Sequence, residues 1–469
     1  MLDIMYNAVR HKFHSYNAVR YFFGCGGTVP RMRRAAARSG RRSEQCVMLR
    51  IRTVSIHRPC KLGTAGRCPI RSPSHQLSCF LMACFATIVL DGVGVGAQPD
   101  AHAYGDRGSH TLGHVCATAQ PALPNLAALG LGRIADLAGV PPADAPTASY
   151  GRMQEVSAGK DSTTGHWELA GLHLEQPFPT YADGFPPEVI DAFTTHGGVE
   201  AVLGNRPASG TVIIEELGEE HERTGAPIVY TSADSVFQIA AHKDVIPLED
   251  LYRLCKVART KVCTGEHGVG RVIARPFVGE PGNYTRISEE RKDFARRPET
   301  APLQDVLQAH GVRTVSIGKI ADLFARTGFD TMTKTASNAE GMAATEAALR
   351  ACEDGAPPTF IWTNLVDFDQ EYGHRNDPEG FAGALEAFDA ALPDLLDALP
   401  NDGVLVITAD HGNDPTTAST DHSREFVPLL VVRPSGACHA LGLRDTFADH
   451  AATVASYFDV PFETHGTAF

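Results

Sequence analysis

Short apolar runs alternating with amphipathic stretches set the pattern of the chain from residue 85 onward. Phe85-Ala86-Thr87-Ile88-Val89-Leu90 is a continuous apolar run of strand length, followed at once by Asp91 and the glycine-rich Gly92-Val93-Gly94-Val95-Gly96-Ala97. Thr359 to Val366 is a second such run, leading to Asp367 and Asp369, and Val404 to Thr408 is a third, leading to Asp410-His411. Runs that are apolar on both faces predict strands buried between helical layers. Between the second and third, Phe381, Leu385, Phe388, Leu392 and Leu395 recur at helical spacing and predict a crossover helix. The order strand, helix, strand implies an α/β fold with a mainly parallel sheet flanked by helices. From about Thr180 to Arg297 the texture changes to more charge and more Pro/Gly punctuation, with shorter strand candidates at Gly210–Ile214 and Arg271–Ala274. The expected division is a core formed by residues 82–180 and 298–469, with a smaller α/β cap domain, 181–297, inserted between its halves.

Composition separates residues 1–81 from this body. The first 84 residues hold 15 of the 42 Lys+Arg but only Asp3 and Glu44, a net +13, whereas the remainder carries 27 basic against 53 acidic residues, a net -26. The stretch also contains a short repeat, Tyr6-Asn7-Ala8-Val9-Arg10 and Tyr16-Asn17-Ala18-Val19-Arg20. It is expected to be an extension from an upstream start, with Met82 the working initiator; a transit peptide is the rival reading, and a basic nucleic-acid arm the third. A body this acidic repels nucleic acid and anionic membranes. The apolar run Leu77 to Leu90 is shorter than the roughly 20 residues that a membrane helix needs. Six of the 11 cysteines fall at or before Cys84, and Cys116, Cys255, Cys263, Cys352 and Cys438 are scattered without CxxC spacing. That usage predicts a reducing, cytoplasmic setting with neither a disulfide framework nor a zinc–thiolate site.

The chemistry gathers at the ends of the three runs. In a parallel sheet Asp91, Asp369 and Asp410-His411 fall on one edge, where ligands of open α/β folds collect. His374 and His422 lie on the loops leaving the second and third runs. Three carboxylates and three imidazoles without a thiolate suit divalent Mn, Mg or Zn. Two dications over three carboxylates leave a net positive charge that holds a phosphate, whereas one leaves a net negative charge that repels it. Each Asp or His alone also reads as a helix cap or strand closure; their joint placement favours metal. A polar loop, Gly159-Lys160-Asp161-Ser162-Thr163-Thr164-Gly165-His166-Trp167-Glu168, enters a further helical stretch. A hydroxyl there, beside a metal, is a nucleophile whose phosphoryl group the helix start can hold; the bland alternative makes Ser162 an N-cap.

With these blocks, and with YTSADSVFQIAAH, NLVDFDQEYGHR, TADHGNDP and DHSRE, the chain from about Cys84 to Phe469 resembles the phosphopentomutases of the alkaline phosphatase superfamily. The resemblance implies an alkaline-phosphatase-like core and two metal ions, most often Mn2+. Asp91, Asp410 and His411 would hold one ion, and Asp369, His374 and His422 the other. Ser162 stands at the position of the family's nucleophilic threonine, and Gly92 where the family usually has serine. It further implies substrate contacts from Asp234, Arg271, Arg286 and Lys319. The expected reaction interconverts ribose 1-phosphate, or 2-deoxyribose 1-phosphate, with the 5-phosphates through a phosphoenzyme, with a sugar bisphosphate as intermediate and activator.

Two other functions fit parts of the pattern. Another phosphatase or phosphomutase of the same superfamily would share the ligand set and differ in the cap. A dinucleotide-binding oxidoreductase would use Gly92 to Ala97 as a GxGxxA fingerprint, but the acidic residue expected about 20 positions on is missing.

Overall fold

The computed structural model describes residues 83–232, 235–352 and 355–469. The readings of the basic stretch and of Asp234 lie outside the described residues. Two sheets organise the rest. The larger has eight strands in the order β10-β9-β11-β1-β12-β13-β2-β14, with β1 (Cys84–Leu90), β2 (Ser149–Met153), β9 (Arg313–Ile317), β10 (Thr331–Thr333), β11 (Thr359–Leu365), β12 (Val404–Thr408), β13 (Val427–Val432) and β14 (Ala440–Arg444). From β10 through β12 every neighbour is parallel; β13 then runs antiparallel to both β12 and β2.

Strand β1 sits at the centre, its register pairing Cys84 with Thr359 on one side and Phe85 with Val404 on the other. All seven of its residues are buried, as are all residues of β11 and β12, which is the both-faces burial that their uninterrupted apolar runs require. The helix Pro378–Ala398 connects β11 to β12 and buries Phe381, Leu385, Phe388, Leu392 and Leu395, the stripe visible in the sequence. One large apolar cluster joins these elements.

The second sheet is built from β3 (Leu203–Pro207), β4 (Ile228–Thr231), β5 (Val236–His242), β6 (Arg271–Val278) and β7 (Thr285–Arg286) in that order, with β8 (Lys292–Ala295) also pairing with β6. It has two apolar clusters of its own, one around Phe193, Phe237 and Leu254, the other around Ile213, Ile214, Tyr230 and Phe277. The strand expected at Gly210–Ile214 is instead the first turn and a half of the helix Gly210–Thr224. Its β-branched run favours a strand locally, but Ile213, Ile214, Gly218 and His221 lie on one helical face and are buried against the sheet, so packing decides. Among the described residues no helix is long and apolar enough to cross a membrane.

Candidate metal and nucleophile site

The parallel order of β11, β1 and β12 brings their C-terminal ends together, and with them the acidic residues. Asp91 follows β1 directly, and its N–H donates to Leu365 O of β11 at 3.2 Å. Asp410 lies two residues beyond β12 and Asp369 in a π-helical turn, Phe368–Tyr372, beyond β11. Two sets of ligand-type atoms are each gathered within 4.8 Å: Asp91, Asp410 and His411 in one, and Asp369, His411 and His422 in the other. His374 joins the second set from its edge, with Nε2 3.2 Å from Asp369 Oδ2 and its ring 4.9 Å from that of His422. His411 therefore faces both groups.

These side chains are prepared as ligands. The Nδ1 of His374 donates to Thr420 O at 2.7 Å, and that of His411 to Gly412 O at 3.1 Å, which leaves each Nε2 toward the carboxylates. Asn413 Nδ2 donates to Asp369 Oδ1 at 2.7 Å. Asp91 is fully buried, and its Oδ1 accepts no hydrogen bond among the described residues; His411 Nε2 is 3.4 Å from it. A buried carboxylate oxygen with no donor fits a cation. The proton affinities agree. Burial works against ionising Asp369, but the imidazoles of His422 and His374 outweigh it and hold the carboxyl well below its usual range. The hydrogen bond to Asp369 pushes His374 up to about 9. Burial opposes protonation of His411, yet Asp410 and Asp91 push it up to about 10.

Ser162 lies beside this cluster at the start of the helix Ser162–Leu169, 9% exposed. Its Oγ accepts from Lys319 Nζ at 2.7 Å and is 3.0 Å from His411 Nε2. The N-cap is Asp161: its side chain accepts from the N–H groups of Thr163 and Thr164, and Thr164 Oγ1 donates to it at 2.6 Å. Ser162 is thus free of the capping role, and the N–H groups of Thr163 and Thr164, expected to face an incoming phosphoryl group, are committed to Asp161. Thr163 and Thr164 belong to the helix wall. Lys319 also pairs with Asp91, and although burial lowers its proton affinity, Asp91, Asp410 and Asp369 raise it further, so the ammonium stays charged. It bears on the Ser162 hydroxyl itself as well as on anything bound above it.

A cavity of about 230 Å³ opens over Ser162 and is lined by Lys319, His422, Lys160, Asp421 and, from the second sheet, Arg271. A larger one, about 600 Å³, lies behind Phe178; its lining includes Glu175, Glu266 and Glu299 against Arg296, so its charge disfavours anions, and none of the metal-type ligands reaches it. Arg286 is not part of the smaller cavity's wall. It sits on β7, where a Cβ on Gly210 would lie 3.2 Å from its Nη1 and 2.6 Å from Tyr230 Oη.

Two supports carry no signal in the sequence. Arg424 is buried and spends its guanidinium on the carbonyls of Glu155, Ser157 and Gly159, on the Glu155 carboxylate and on Asp100, and so fixes the loop that leads to Ser162. Glu425 accepts from Gly96 N–H, Thr111 N–H, Thr111 Oγ1 and Ser423 Oγ. A Cβ on Gly94 would come within 2.3 Å of that carboxylate, so the glycine run is a wrapping for Glu425. The next α-helix after it is Thr111–Ala119, preceded only by a single 3-10 turn at Ala101–Ala103, so the glycines do not open a helix as a dinucleotide fingerprint must. The DHSRE block contained both Arg424 and Glu425, but nothing local marked them as buried.

A family model described as the Metalloenzyme superfamily matches residues 84–461. Among curated proteins, the chain is 54% identical over 384 residues to the phosphopentomutase of Caldanaerobacter subterraneus subsp. tengcongensis, covering 81% of this chain and 96% of that protein. It is 53% identical over 384 residues to the phosphopentomutase of Dictyoglomus thermophilum, with the same coverage. To that of Anaeromyxobacter dehalogenans it is 54% identical over 383 residues, covering 81% of this chain and 97% of the relative.

Proposed function

The chain belongs to the phosphopentomutase family, metal-dependent isomerases of the Metalloenzyme superfamily, and from that premise we propose that it interconverts ribose 1-phosphate and 2-deoxyribose 1-phosphate with the 5-phosphates through a phosphoryl group carried on Ser162. The observation that carries this reading is Ser162 Oγ, held by Lys319 at 2.7 Å and facing His411 at 3.0 Å within the carboxylate–imidazole cluster. Asp91, Asp410 and His411 would hold one divalent ion and Asp369, His374 and His422 the other, with Mn2+ the expected metal and His411 standing between the groups. When bound, such ions supply Lewis-acid stabilisation to the transferring phosphoryl group. Three carboxylates alone would repel a phosphate, so the charge of two dications, added to that of Lys319, makes the pocket receptive.

In the forward half-reaction the P–Oγ bond of Ser162 breaks as a P–O bond forms to the free hydroxyl of the pentose phosphate, and the proton that hydroxyl gives up is returned to Ser162 Oγ. Lys319 donates to Oγ as negative charge returns to it, a stabilisation that costs no reorganisation because the ammonium is already in place. The sugar bisphosphate so formed turns and returns its other phosphate to Ser162. Arg271 faces the cavity from the second sheet, and its planar fork suits the phosphate that is not reacting. We assign Arg286 to the far phosphate of a bisphosphate and Asp234 to a ribose hydroxyl, both on the family resemblance. Residues 181–297 would act as the cap that closes over the metal edge and keeps water from the phosphoenzyme. A sugar bisphosphate would load Ser162 at the start.

The test is to incubate the protein with manganese, ribose 1-phosphate and a trace of sugar bisphosphate, and to follow both pentose phosphates and free phosphate by phosphorus NMR. Interconversion well ahead of phosphate release is expected; release as fast as interconversion would replace the mutase reading with a phosphatase. Ser162→Ala should keep its metal and lose the phosphoprotein, whereas Ser162→Thr should keep activity. Phosphate mapped to Thr163 or Thr164 in active enzyme would move the nucleophile.

A further inference from the structure

We propose that Cys84 and Cys352 are a modification site, a thiol pair that closes to a reversible disulfide under a peroxide oxidant. Their Sγ atoms lie 2.9 Å apart, in buried surroundings, although the residues are 268 positions apart in the chain. That separation is only about 0.9 Å beyond a covalent S–S bond. Cys84 is the first residue of β1, and Cys352 lies just past the helix Asn338–Arg350, before β11. Nothing in the spacing of the cysteines marks them as partners; the parallel pairing of β1 with β11 is what brings them together.

Both thiols are held from the backbone. Cys84 N–H donates to Tyr457 Oη at 3.1 Å, and the register sets Cys84 beside Thr359. Cys352 N–H donates to Leu349 O at 3.0 Å, and its Sγ lies 3.4 Å from Ala348 O. Cys116, Cys255 and Cys263 are buried too, and Cys438 is exposed, but among the described residues the hydrogen-bonded thiol pair is this one.

The pair is chemically unequal. The thiol of Cys84 donates toward Cys352, which lowers the proton affinity of Cys352 despite burial, and Arg313 adds to the effect. The same hydrogen bond and its own burial raise that of Cys84. Cys352, 8% exposed against 1% for Cys84, is also the more accessible of the two and is the attacking sulfur. Its thiolate attacks one peroxide oxygen; an S–O bond forms, the O–O bond breaks, and the second oxygen leaves as water after taking up a proton. Cys84 sulfur then attacks the sulfenic sulfur, the S–S bond forms, and the S–O oxygen departs with the Cys84 proton as a second water. The two electrons lost by the thiols reduce the peroxide. A reducing thiol pool reverses the process by exchange.

The bridge would lie at the opposite end of β1 from Asp91, so it should leave phosphoryl transfer untouched while tying the start of the central strand to the loop before β11. The experiment treats the full-length protein with a few equivalents of hydrogen peroxide, blocks remaining thiols with iodoacetamide and maps peptides without reduction. A cross-linked peptide joining Cys84 to Cys352, lighter by two hydrogens and resolved by dithiothreitol, is expected. It should be lost in both Cys84→Ala and Cys352→Ser. The oxidised wild type alone should gain a thermal midpoint on the order of a few degrees higher, because the cross-link closes a very long loop, with turnover unchanged. Recovery of both cysteines in alkylated form after Cys438 has been oxidised would overturn the proposal. So would Cys352 found as sulfinic acid beside a free Cys84.

Discussion

Replacing Lys319 by Met removes the cation from Ser162, the proposed nucleophile, while keeping most of the side chain's volume. In the native site Lys319 Nζ is 2.7 Å from Ser162 Oγ and also pairs with Asp91. If Oγ carries a full negative charge as the phosphoryl group leaves, Coulomb attraction at that distance is about 6 kcal/mol at an effective dielectric of about 20, which sets the ceiling. Part of it remains when nearby cations and water substitute, and removal of one preorganised donor to a developing oxyanion typically costs about 2.7–4 kcal/mol, or about 10²–10³ in kcat. We expect a loss in that range in kcat, with a much smaller change in KM, since the interaction grows only as Oγ becomes anionic. Metal content must be measured alongside, because the variant also releases Asp91 from its pairing and should bind metal at least as well as the wild type. A rapid-quench measurement of phosphate leaving phospho-Ser162 isolates the step. A loss of less than about tenfold in that step, in a variant that is folded and fully loaded, would refute the role given to Lys319.

Asp410→Asn and His422→Ala should each abolish turnover and each lower bound metal by about one ion, measured by elemental analysis, if the proposed two-metal clamp works as a unit; full activity in either would remove that residue from the ligand set. In metal-free protein, His374 and His411 are raised from 6.5 to about 9 and about 10. Their contribution to stability should therefore be full below about pH 6.5 and disappear as pH climbs through 9 and 10. Metal affinity should run the other way, because the imidazoles must shed those protons to become ligands. Thermal midpoints of chelated protein across that range test the first sign and metal titrations the second; a flat midpoint would contradict the ion pairing. Arg424→Met should destabilise the protein by about 1–3 kcal/mol, because it leaves the carbonyls of Glu155, Ser157 and Gly159 without their donor, while the Glu155 carboxyl, already pushed well above its usual range by burial, takes up a proton; a urea midpoint unchanged from wild type would show that the loop has another support.

The centre of the larger sheet was legible because β1, β11 and β12 are buried on both faces and declare themselves as unbroken apolar runs, whereas β2 and β14, half-buried or exposed, carry no such run. For the same reason the acidic residues that end those runs could be placed on one edge without any structure. The helix at Gly210–Thr224 was not legible: its first turn is β-branched, and what makes it helical is the fit of Ile213 and Ile214 against Phe277 and Ile228, a contact between distant segments. The polar shell was hidden in a different way. A capping aspartate, a buried arginine on three carbonyls and a carboxylate wrapped by glycines look like any loop residues until burial is known. Asp161 illustrates this, since the sequence offered Ser162 for the cap and the side chain one residue earlier takes it. Lys319 was read as a substrate contact; its approach to Ser162 depends on where β9 ends relative to a helix more than 150 positions earlier, which no local pattern encodes.

The central place of β1 also governs the order in which the molecule can be assembled on the ribosome. Phe85 emerges early, but its two neighbours across the sheet are Phe360 and Val404, so both edges of β1 stay bare while several hundred residues are made. At the usual pace of elongation that wait is on the order of tens of seconds. The second sheet, from Leu203 to Ala295, falls wholly inside the gap and carries its own apolar clusters. It can therefore complete its hydrogen bonding first, while the strand that leads to Asp91 remains an unpaired apolar segment. Only when β12 and the segment through Glu425 arrive does the acidic edge close, so a truncated chain that still contains Asp91, Ser162 and Lys319 would hold the parts of the centre without the frame that aligns them.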